Sequence, residues 1–302
     1  MIDDMVNKIT ASLDYEHVSS RIEHFLLDNL EASRKAGYVL GLSGGLDSSV
    51  VAALASRALY GRGKKGSLTA LIIPHSSITP SSDVQDAIRL AESLNIRYKV
   101  IEIGDIHSLL VERLYSINSD VVVGRVRRVG RGGVGEEEDD SKSSSDRLRS
   151  RIASGNLLAR LRMCILYYYA NANDYLVLGT SDRSELMIGY YTKYGDGAAD
   201  LLPIADLYKV QVRALASYLK IDDAIIRKRS SPMLWKGHYA EQELGMSYEE
   251  IDSILYCLLY LRYNVKDTVK MLGIEEERVK SVIRLVRSSR HKRVLPTICR
   301  IQ

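Results

Sequence analysis

The chain of 302 residues contains only three cysteines, Cys164, Cys257 and Cys299, and they lie far apart in the sequence. This spacing excludes a disulfide framework and a paired-cysteine metal or redox site, and a reducing cytoplasm is the simpler setting. The N-terminus lacks the basic and apolar regions of a signal peptide, which argues against export. The least charged long window, 38–56, carries one charge at Asp47, but the serines and glycines at its centre argue against a membrane span.

A strong excess of one charge is also absent. Forty-two Lys and Arg against 38 Asp and Glu give a net charge of +4, far below the excess of a general nucleic-acid coat. Anionic small molecules remain candidate ligands. With 46% hydrophobic and 26% charged residues the composition is typical of a folded globular protein, and the length allows two domains or one large α/β domain.

Strands and helices alternate through the first two thirds of the chain. Residues 38–42 (YVLGL) form a predicted buried strand that runs through the glycine turn at 43–49 into an alanine- and leucine-rich helix. Further strands are predicted at 67–74, 97–103 and 174–180, each pair separated by a helical stretch. This alternation predicts an α/β fold with a doubly wound, mainly parallel sheet and helices on both faces, followed by a mostly helical C-terminal part.

One segment interrupts this rhythm. Residues 125–150 combine glycine, serine and an acidic run with almost no apolar residue, which predicts a flexible loop insert. The insert is either a solvated linker or a lid that orders over a ligand.

The turn SGGLDSS at 43–49 has the features of a phosphate site. Two adjacent glycines let the backbone approach an anion closely, the following helix presents unpaired N–H groups, and the serines add hydroxyl donors. It is not a Walker A loop, because no Lys follows the glycines and the acidic Asp47 lies within it. Asp47 fits beside a polyphosphate if Mg²⁺ lies between them, since Mg²⁺ prefers carboxylate and phosphate oxygens together. The alternative is an ordinary strand-to-helix turn capped by Ser or Asp.

SGGLDSS resembles the SGGxDS signature of the N-type ATP pyrophosphatases, which cleave ATP between the α and β phosphates and adenylylate an acceptor. That superfamily includes synthetases of NAD, GMP, asparagine and argininosuccinate together with tRNA-thiolating enzymes, so the signature alone leaves several activities open. The second half of the chain resembles the NAD synthetases in particular. The resemblance lies in SGNLLARLRM at 154–163, in the block that begins GTSDRSELMIGYYTKYGDG and spans 179–212, and in EQELGMSYEEID at 241–252.

The resemblance covers nearly the whole chain and implies a single domain, 1–302, with an adenine nucleotide alpha hydrolase-like fold. Only about 40 residues precede the turn, too few for the glutaminase domain of the glutamine-dependent members, so the shorter ammonia-dependent form is expected. In that form the carboxylate of deamido-NAD attacks the α-phosphate of ATP, pyrophosphate leaves, and ammonia displaces AMP to give NAD. The chain is therefore expected to be a cytoplasmic ligase that uses ATP as co-substrate and Mg²⁺, with no nucleic-acid or membrane partner.

The resemblance also implies roles for individual residues. The ATP-binding positions of the family correspond to Gly41, Leu42, Ser43, Gly44, Gly45, Leu46, Asp47, Ser48, Thr180, Lys209 and Ser231. The deamido-NAD-binding positions correspond to Arg160, Lys193, Asp200, His291 and Lys292. The expected metal ligands are Asp47 and Glu185, and the expected catalytic residues are Asp47, Lys193 and Lys209.

Simpler roles exist for several of these residues. Glu185 could be an acidic residue that favours the first turn of a helix, and Lys193 and Lys209 could be solvated surface lysines. His291 and Lys292 end a basic helix, where cations often only complement the helix dipole.

Other functions also remain open at this stage. Another adenylylating enzyme of the superfamily, GMP synthetase-like or tRNA-thiolating, would share the turn. The tRNA-thiolating enzymes usually need a paired or persulfide-carrying cysteine, however, and the cysteines of this chain are isolated. A non-catalytic ATP-binding regulatory module is the alternative from another class. A homodimer is expected from the family, and the helix with Phe25 and the Tyr-rich helix at 161–172 offer additional apolar faces.

Overall fold

The computed structural model describes residues 1–60, 67–120 and 144–301 and contains a parallel sheet covered by helices. The strands are β1 (Gly37–Gly41), β2 (Leu68–Ile72), β3 (Arg97–Val100) and β4 (Tyr175–Leu178). Their order is β3-β2-β1-β4 and every pairing is parallel. The predicted α/β fold with a doubly wound parallel sheet is confirmed. The chain order reverses between β1 and β4, and in such sheets ligands bind at the carboxyl ends of the strands beside this switch point.

Helices account for most of the remaining described chain. The α-helices before the last strand are α1 (Ile2–Ala11), α2 (Tyr15–Ser33), α3 (Leu46–Tyr60), α4 (Ser81–Ser93), α5 (Gly104–Asp120) and α6 (Ser144–Asn173). Those after it are α7 (Arg183–Ile188), α8 (Lys209–Tyr218), α9 (Asp223–Ile226), α10 (Ala240–Leu244), α11 (Tyr248–Leu255), α12 (Val265–Leu272) and α13 (Glu276–Ser288). A π-helix, Tyr256–Tyr260, follows α11, and a 3₁₀ turn, Arg290–Lys292, follows α13. In the three described ranges no helix is long and apolar enough to cross a membrane.

Alternate residues of the central strands enter cores on opposite faces of the sheet. Tyr38 and Leu40 of β1 pack with the apolar residues of α2, α3 and α8. Val39, between them, packs on the other face with Met163 and Leu166 of α6. Because successive side chains of a strand point to opposite faces, a strand buried on both faces reads as the continuous apolar run seen in YVLGL.

The C-terminal helices form a second core beside the sheet. Ile251 and Ile254 of α11 and Val279 and Val282 of α13 are fully buried in it, as their helical spacing predicts. Helix α1 closes this core with Ile9. The predicted helical C-terminal part is confirmed.

The structure corrects one end of the predicted loop insert. Residues 125–143 lie outside the described residues, but residues 144–150 form the first turns of α6, so the loop prediction is wrong for them. Their polar composition indicates that they are exposed to solvent, but it does not determine the conformation of the backbone. The packed part of α6 already forms a helix, so each residue added to its N-terminus gains a backbone hydrogen bond at little further cost. In addition, Asp146 Oδ1 and Arg149 Nη1 form an ion pair at 3.7 Å across one helical turn.

Candidate functional site

A cavity of about 850 Å³ opens where β1, β2 and β4 end. Its wall includes Gly41 at the end of β1 and Leu42 just after it, Ile73 after β2, and Gly179 and Thr180 after β4. The cavity therefore lies at the carboxyl edge of the sheet beside the switch point, where the fold rule places a ligand.

The glycine turn forms one wall of this cavity at the N-terminus of α3. Of the predicted ATP-binding residues in the turn, the following line the cavity: Gly41, Leu42, Ser43, Gly45, Leu46, Asp47 and Ser48. The N–H of Gly45 donates to Ser43 Oγ at 3.2 Å, and Ser43 Oγ lies 3.0 Å from Ser48 Oγ. These hydroxyls and the start of a 15-residue helix form a site suited to an anion.

Gly44 faces away from the cavity and packs against α4. Its φ is +75°, and a Cβ atom there would lie 2.1 Å from the backbone oxygen of Asp83. Only glycine fits both the left-handed backbone and this close approach. The two adjacent glycines thus have different surroundings, since Gly45 lines the cavity and Gly44 packs against the protein.

Three carboxylates surround the ammonium group of Lys209 beside the turn. Lys209 Nζ donates to both oxygens of Asp47, at 2.9 and 2.8 Å, and to Glu185 Oε1 at 2.9 Å. It also lies 2.9 Å from Asp182 Oδ2, an ion pair without hydrogen-bond geometry. The side chains of Lys209 and Asp182 are fully buried, whereas Asp47 and Glu185 are about one fifth exposed, at 21% and 19%. Asp47 and Glu185 accordingly line the cavity.

This cluster contains three carboxyl groups and one ammonium group, and the pKa values of its members are shifted from their ordinary values. Burial raises the pKa of Asp182 to about 6, and the charge of Asp47 adds to the rise while Lys209 opposes it. Burial likewise holds the pKa of Glu185 well above its ordinary range. Burial alone would lower the pKa of Lys209, but the three carboxylates raise it well above the ordinary value. One ammonium against three carboxylates leaves a site that a divalent cation would neutralise.

Asp47 and Glu185 fit the role of Mg²⁺ ligands. Both offer hard carboxylate oxygens at the cavity wall, beside a turn suited to phosphates, and both are held by one ammonium. Mg²⁺ is usually bound by one or two carboxylates together with phosphate oxygens and water. The structure thus brings together the two residues that the sequence predicts as metal ligands.

Lys209 differs from its predicted place. The sequence predicts a lysine in contact with ATP, but its ammonium group lies beneath Asp47 and Glu185 and does not line the cavity. A direct contact with ATP stays a prediction. What the structure adds is that Lys209 holds the two carboxylates in place.

Sequence reasoning missed Asp182, the third carboxylate of the cluster. Asp182 caps the N-terminus of α7 and accepts from the backbone N–H of Glu185 at 2.8 Å, while the side chain of Glu185 accepts from the N–H of Asp182. The spacing Asp-x-x-Glu in GTSDRSE is the signal that could have found it, because it is typical of a capping box.

The residues predicted to bind deamido-NAD fall into three places. Three of them meet outside the cavity wall: Lys193 Nζ donates to the backbone oxygen of His291 at 2.7 Å, and Arg160 Nε to that of Lys193 at 3.3 Å. Lys292, beside His291, turns inward and lines the cavity. It donates to the carbonyl oxygens of Gly189 and Tyr191, both at 2.7 Å.

Asp200 stands apart from these residues at the sheet. Its carboxylate accepts from the backbone N–H of Val177 at 2.7 Å and from the hydroxyl of Tyr167 at 3.2 Å. The structure therefore gives Asp200 a role in ordering β4, and its contact with a substrate stays a prediction. Thr180 and Ser231, predicted to contact ATP, both line the cavity.

The cavity wall also contains cations that were not predicted, among them Arg162 and Lys228. Arg162 donates to the carbonyl oxygens of Ile73 and Met233, both at 3.2 Å, and burial lowers its pKa to about 10. Lys228, the second, binds the back of the glycine turn through the Gly44 carbonyl. Neither matches a familiar motif, so their positions become visible only when the chain is folded.

The chain is similar to known proteins along most of its length. The NAD synthase family profile matches residues 18–132 and 135–296. The NH(3)-dependent NAD(+) synthetase of Hyperthermus butylicus is 45% identical over 94% of this chain and 90% of its own length. That of Aeropyrum pernix is 43% identical over 98% and 91%.

Two solved structures are similar across their whole length. The NH3-dependent NAD synthetase of Campylobacter jejuni, in complex with nitrate, gives a TM-score of 0.69 at 28% identity, covering 95% of this chain and 100% of that one. An NMN synthetase of Francisella tularensis gives 0.71 at 30% identity, covering 95% and 99%.

Proposed function

Because the chain belongs to the NAD synthase family, we propose that it amidates deamido-NAD with ammonia at the expense of ATP, releasing NAD, AMP and pyrophosphate. One observation supports this most directly: Asp47 of the phosphate turn and Glu185 of α7 meet at a single buried ammonium at the cavity wall. A site that only bound ATP would not require this excess of carboxylates beside the phosphates.

In the first half-reaction an oxygen of the nicotinate carboxylate attacks the α-phosphorus of ATP, and the bond to the β-phosphate oxygen breaks. The amides and hydroxyls of Ser43, Gly45 and Ser48 would receive the phosphates at the start of α3. Mg²⁺, held by Asp47 and Glu185, would neutralise charge on the departing pyrophosphate. Lys209 would keep both carboxylates oriented from beneath.

In the second half-reaction ammonia attacks the acyl carbon of the adenylate, AMP leaves, and the attacking nitrogen loses a proton. The cations Arg162 and Lys292 line the same cavity, and burial lowers the pKa of each. Within the described ranges neither forms a salt bridge with a carboxylate, so each retains charge to offer to an anionic substrate. Arg160, Lys193 and His291, clustered outside the cavity wall, would bind the dinucleotide where it leaves the cavity.

We further propose that the protein acts as a homodimer in the cytoplasm. Tyr168 of α6 is 78% exposed and lies in the Tyr-rich segment predicted to form an interface. Light scattering that shows a monomer at micromolar concentration would contradict the homodimer.

Product analysis by mass spectrometry tests the reaction. With deamido-NAD, ATP, Mg²⁺ and ammonium chloride we expect NAD, AMP and pyrophosphate in equal amounts, and ADP with phosphate would refute the reaction class. The similarity to an NMN synthetase makes the deamidated form of NMN the competing substrate, and a higher kcat/KM with it would change the assigned acceptor. The curated relatives are named NH(3)-dependent, so we expect glutamine free of ammonia not to support the reaction.

A further inference from the structure

Lys228 connects three parts of the protein at the back of the glycine turn. It lies in the segment between α9 and α10, and its Nζ donates to the carbonyl oxygen of Gly44 at 2.8 Å. The same Nζ donates to Asp83 Oδ1 at 2.8 Å and to Asp86 Oδ2 at 2.6 Å, both on α4. An ammonium group has three donors, so this set of partners uses all of them.

The bond to Gly44 fixes a peptide plane whose other side faces the cavity. The carbonyl of Gly44 and the N–H of Gly45 belong to one planar trans peptide, so they point in opposite directions. Lys228 holds the carbonyl on the protein side, and the N–H accordingly lies on the side of Ser43 Oγ, in the cavity wall. The direction of an amide that could bind phosphate is thus set by an ammonium behind it.

Two carboxylates of α4 hold this ammonium against the glycine turn. Asp83 and Asp86 are nearly buried, one helical turn apart, and packed against the glycine turn. Asp86 also pairs with Arg89, so Lys228 supplies the cation that is bound to the turn itself.

We propose that Lys228 is a positioning residue for the phosphates of ATP. It fixes the Gly44–Gly45 peptide with its N–H toward the cavity. It acts through the turn and needs no contact of its own with ATP. This role rests on the proposed function only where it is tested by KM values, which require turnover. The effect of Lys228 on pyrophosphate binding can be measured without catalysis.

Lys228→Met tests the role in turnover and in binding. We expect the KM for ATP and the Kd for inorganic pyrophosphate with Mg²⁺, measured by calorimetry, to rise about tenfold, as for the loss of one charge-assisted hydrogen bond. The KM for deamido-NAD should change less than twofold. Lys280→Met is the matched control, because Lys280 is an exposed lysine paired with Glu276 on α13, and it should leave all three constants unchanged. Unchanged ATP and pyrophosphate constants in Lys228→Met, or an equal rise for deamido-NAD, would overturn the proposal.

Asp83→Asn separates positioning from direct contact. It keeps the ammonium but weakens its anchor, so positioning predicts weaker pyrophosphate binding, in the same direction as Lys228→Met but smaller. If Lys228 instead bound the phosphates itself, releasing it from Asp83 would leave binding unchanged or strengthen it, and this result would overturn the proposal. Asp83→Asn also decides the matter if Lys228→Met does not fold. Wild-type protein that binds pyrophosphate but forms no NAD would contradict the proposed function and leave this inference standing.

Discussion

Replacing Lys209 with Met removes the counterion of the carboxylate cluster while keeping a side chain of similar length. Asp47, Asp182 and Glu185 would then face one another without the ammonium that now lies within 2.9 Å of each. Removing one partner of a buried ion pair costs about 3–5 kcal/mol, because the remaining charge is left uncompensated. Ionisation of Asp182 is unfavourable even with Lys209 in place, chiefly because the carboxyl group is buried. The rise in the pKa of Asp182 from 3.8 to about 6 corresponds to about 3 kcal/mol against its ionised form.

The loss of stability in Lys209→Met is expected to increase as the pH rises. Because the pKa values of Asp182 and Glu185 are raised in the folded protein, the folded state binds protons more tightly than the unfolded chain. Stability from these groups is therefore fully present below their unfolded pKa values and is lost as pH rises through the folded ones, about 6 for Asp182. Without Lys209 both values rise further. The destabilisation by Lys209→Met should consequently be largest above about pH 7 and shrink toward about pH 5.

Urea unfolding at about pH 7.5 and about pH 5 measures the effect. We expect Lys209→Met to lower the free energy of unfolding by about 3–5 kcal/mol at the higher pH and by clearly less at the lower one. Lys280→Met, at an exposed site, should leave the free energy of unfolding at its wild-type value at both pH values. Adding Asp182→Asn to Lys209→Met should recover at least about 1 kcal/mol, since it removes a buried charge together with its lost partner. An equal loss at both pH values, or no recovery in the double variant, would refute the electrostatic reasoning.

Three further predictions concern the same wall of the cavity. Asp47→Asn and Glu185→Gln should each remove most of the Mg²⁺-dependent pyrophosphate release, and a wild-type rate in either variant would exclude that residue as a metal ligand. In the double variant, the decrease in the logarithm of the rate should be clearly smaller than the sum of the decreases in the two single variants, because both residues act through one ion. Strict additivity would show that they act separately. Gly44→Ala should destabilise the protein by more than Gly245→Ala, because both glycines have positive φ but only at Gly44 would the new Cβ meet a backbone atom, at 2.1 Å. Thermal unfolding compares the two, and equal losses would mean that the turn can shift away from α4.

The sequence predicted the elements whose signal is local. The apolar run at 38–42, the glycine turn and the alanine-rich helix each follow from residues adjacent in the chain, and the structure contains all three. The pair Asp47 and Glu185 was predicted from motif resemblance, and the sheet brings the two residues together because β1 and β4 are neighbours. Parallel neighbouring strands end at the same edge, so motifs that follow them meet.

What the sequence could not give depends on contacts between distant residues. Lys209 and Asp47 are 162 positions apart, and no local pattern tells whether a lysine faces a cavity or lies beneath its wall. The start of α6 shows the same limit, since the serine- and arginine-rich residues 144–150 are helical because of the packed turns that follow them. Composition indicates exposure there, but packing further along decides the backbone.

The two lysines beside the phosphate turn belong to one short stretch of chain. Lys209 opens α8 and binds Asp47 at the start of α3, and Lys228 follows α9 and binds Gly44 three residues earlier in the turn. Helices α8 and α9 both pack on α3, with Val212 and Ile225 in the same core as Val51. Lys209 and Lys228 therefore hold the turn at two points, and the segment that carries them packs against α3, the helix that follows the turn. A cavity in that shared core, as in Val212→Ala, would loosen both anchors at once, so the phosphate site depends on packing that no substrate touches.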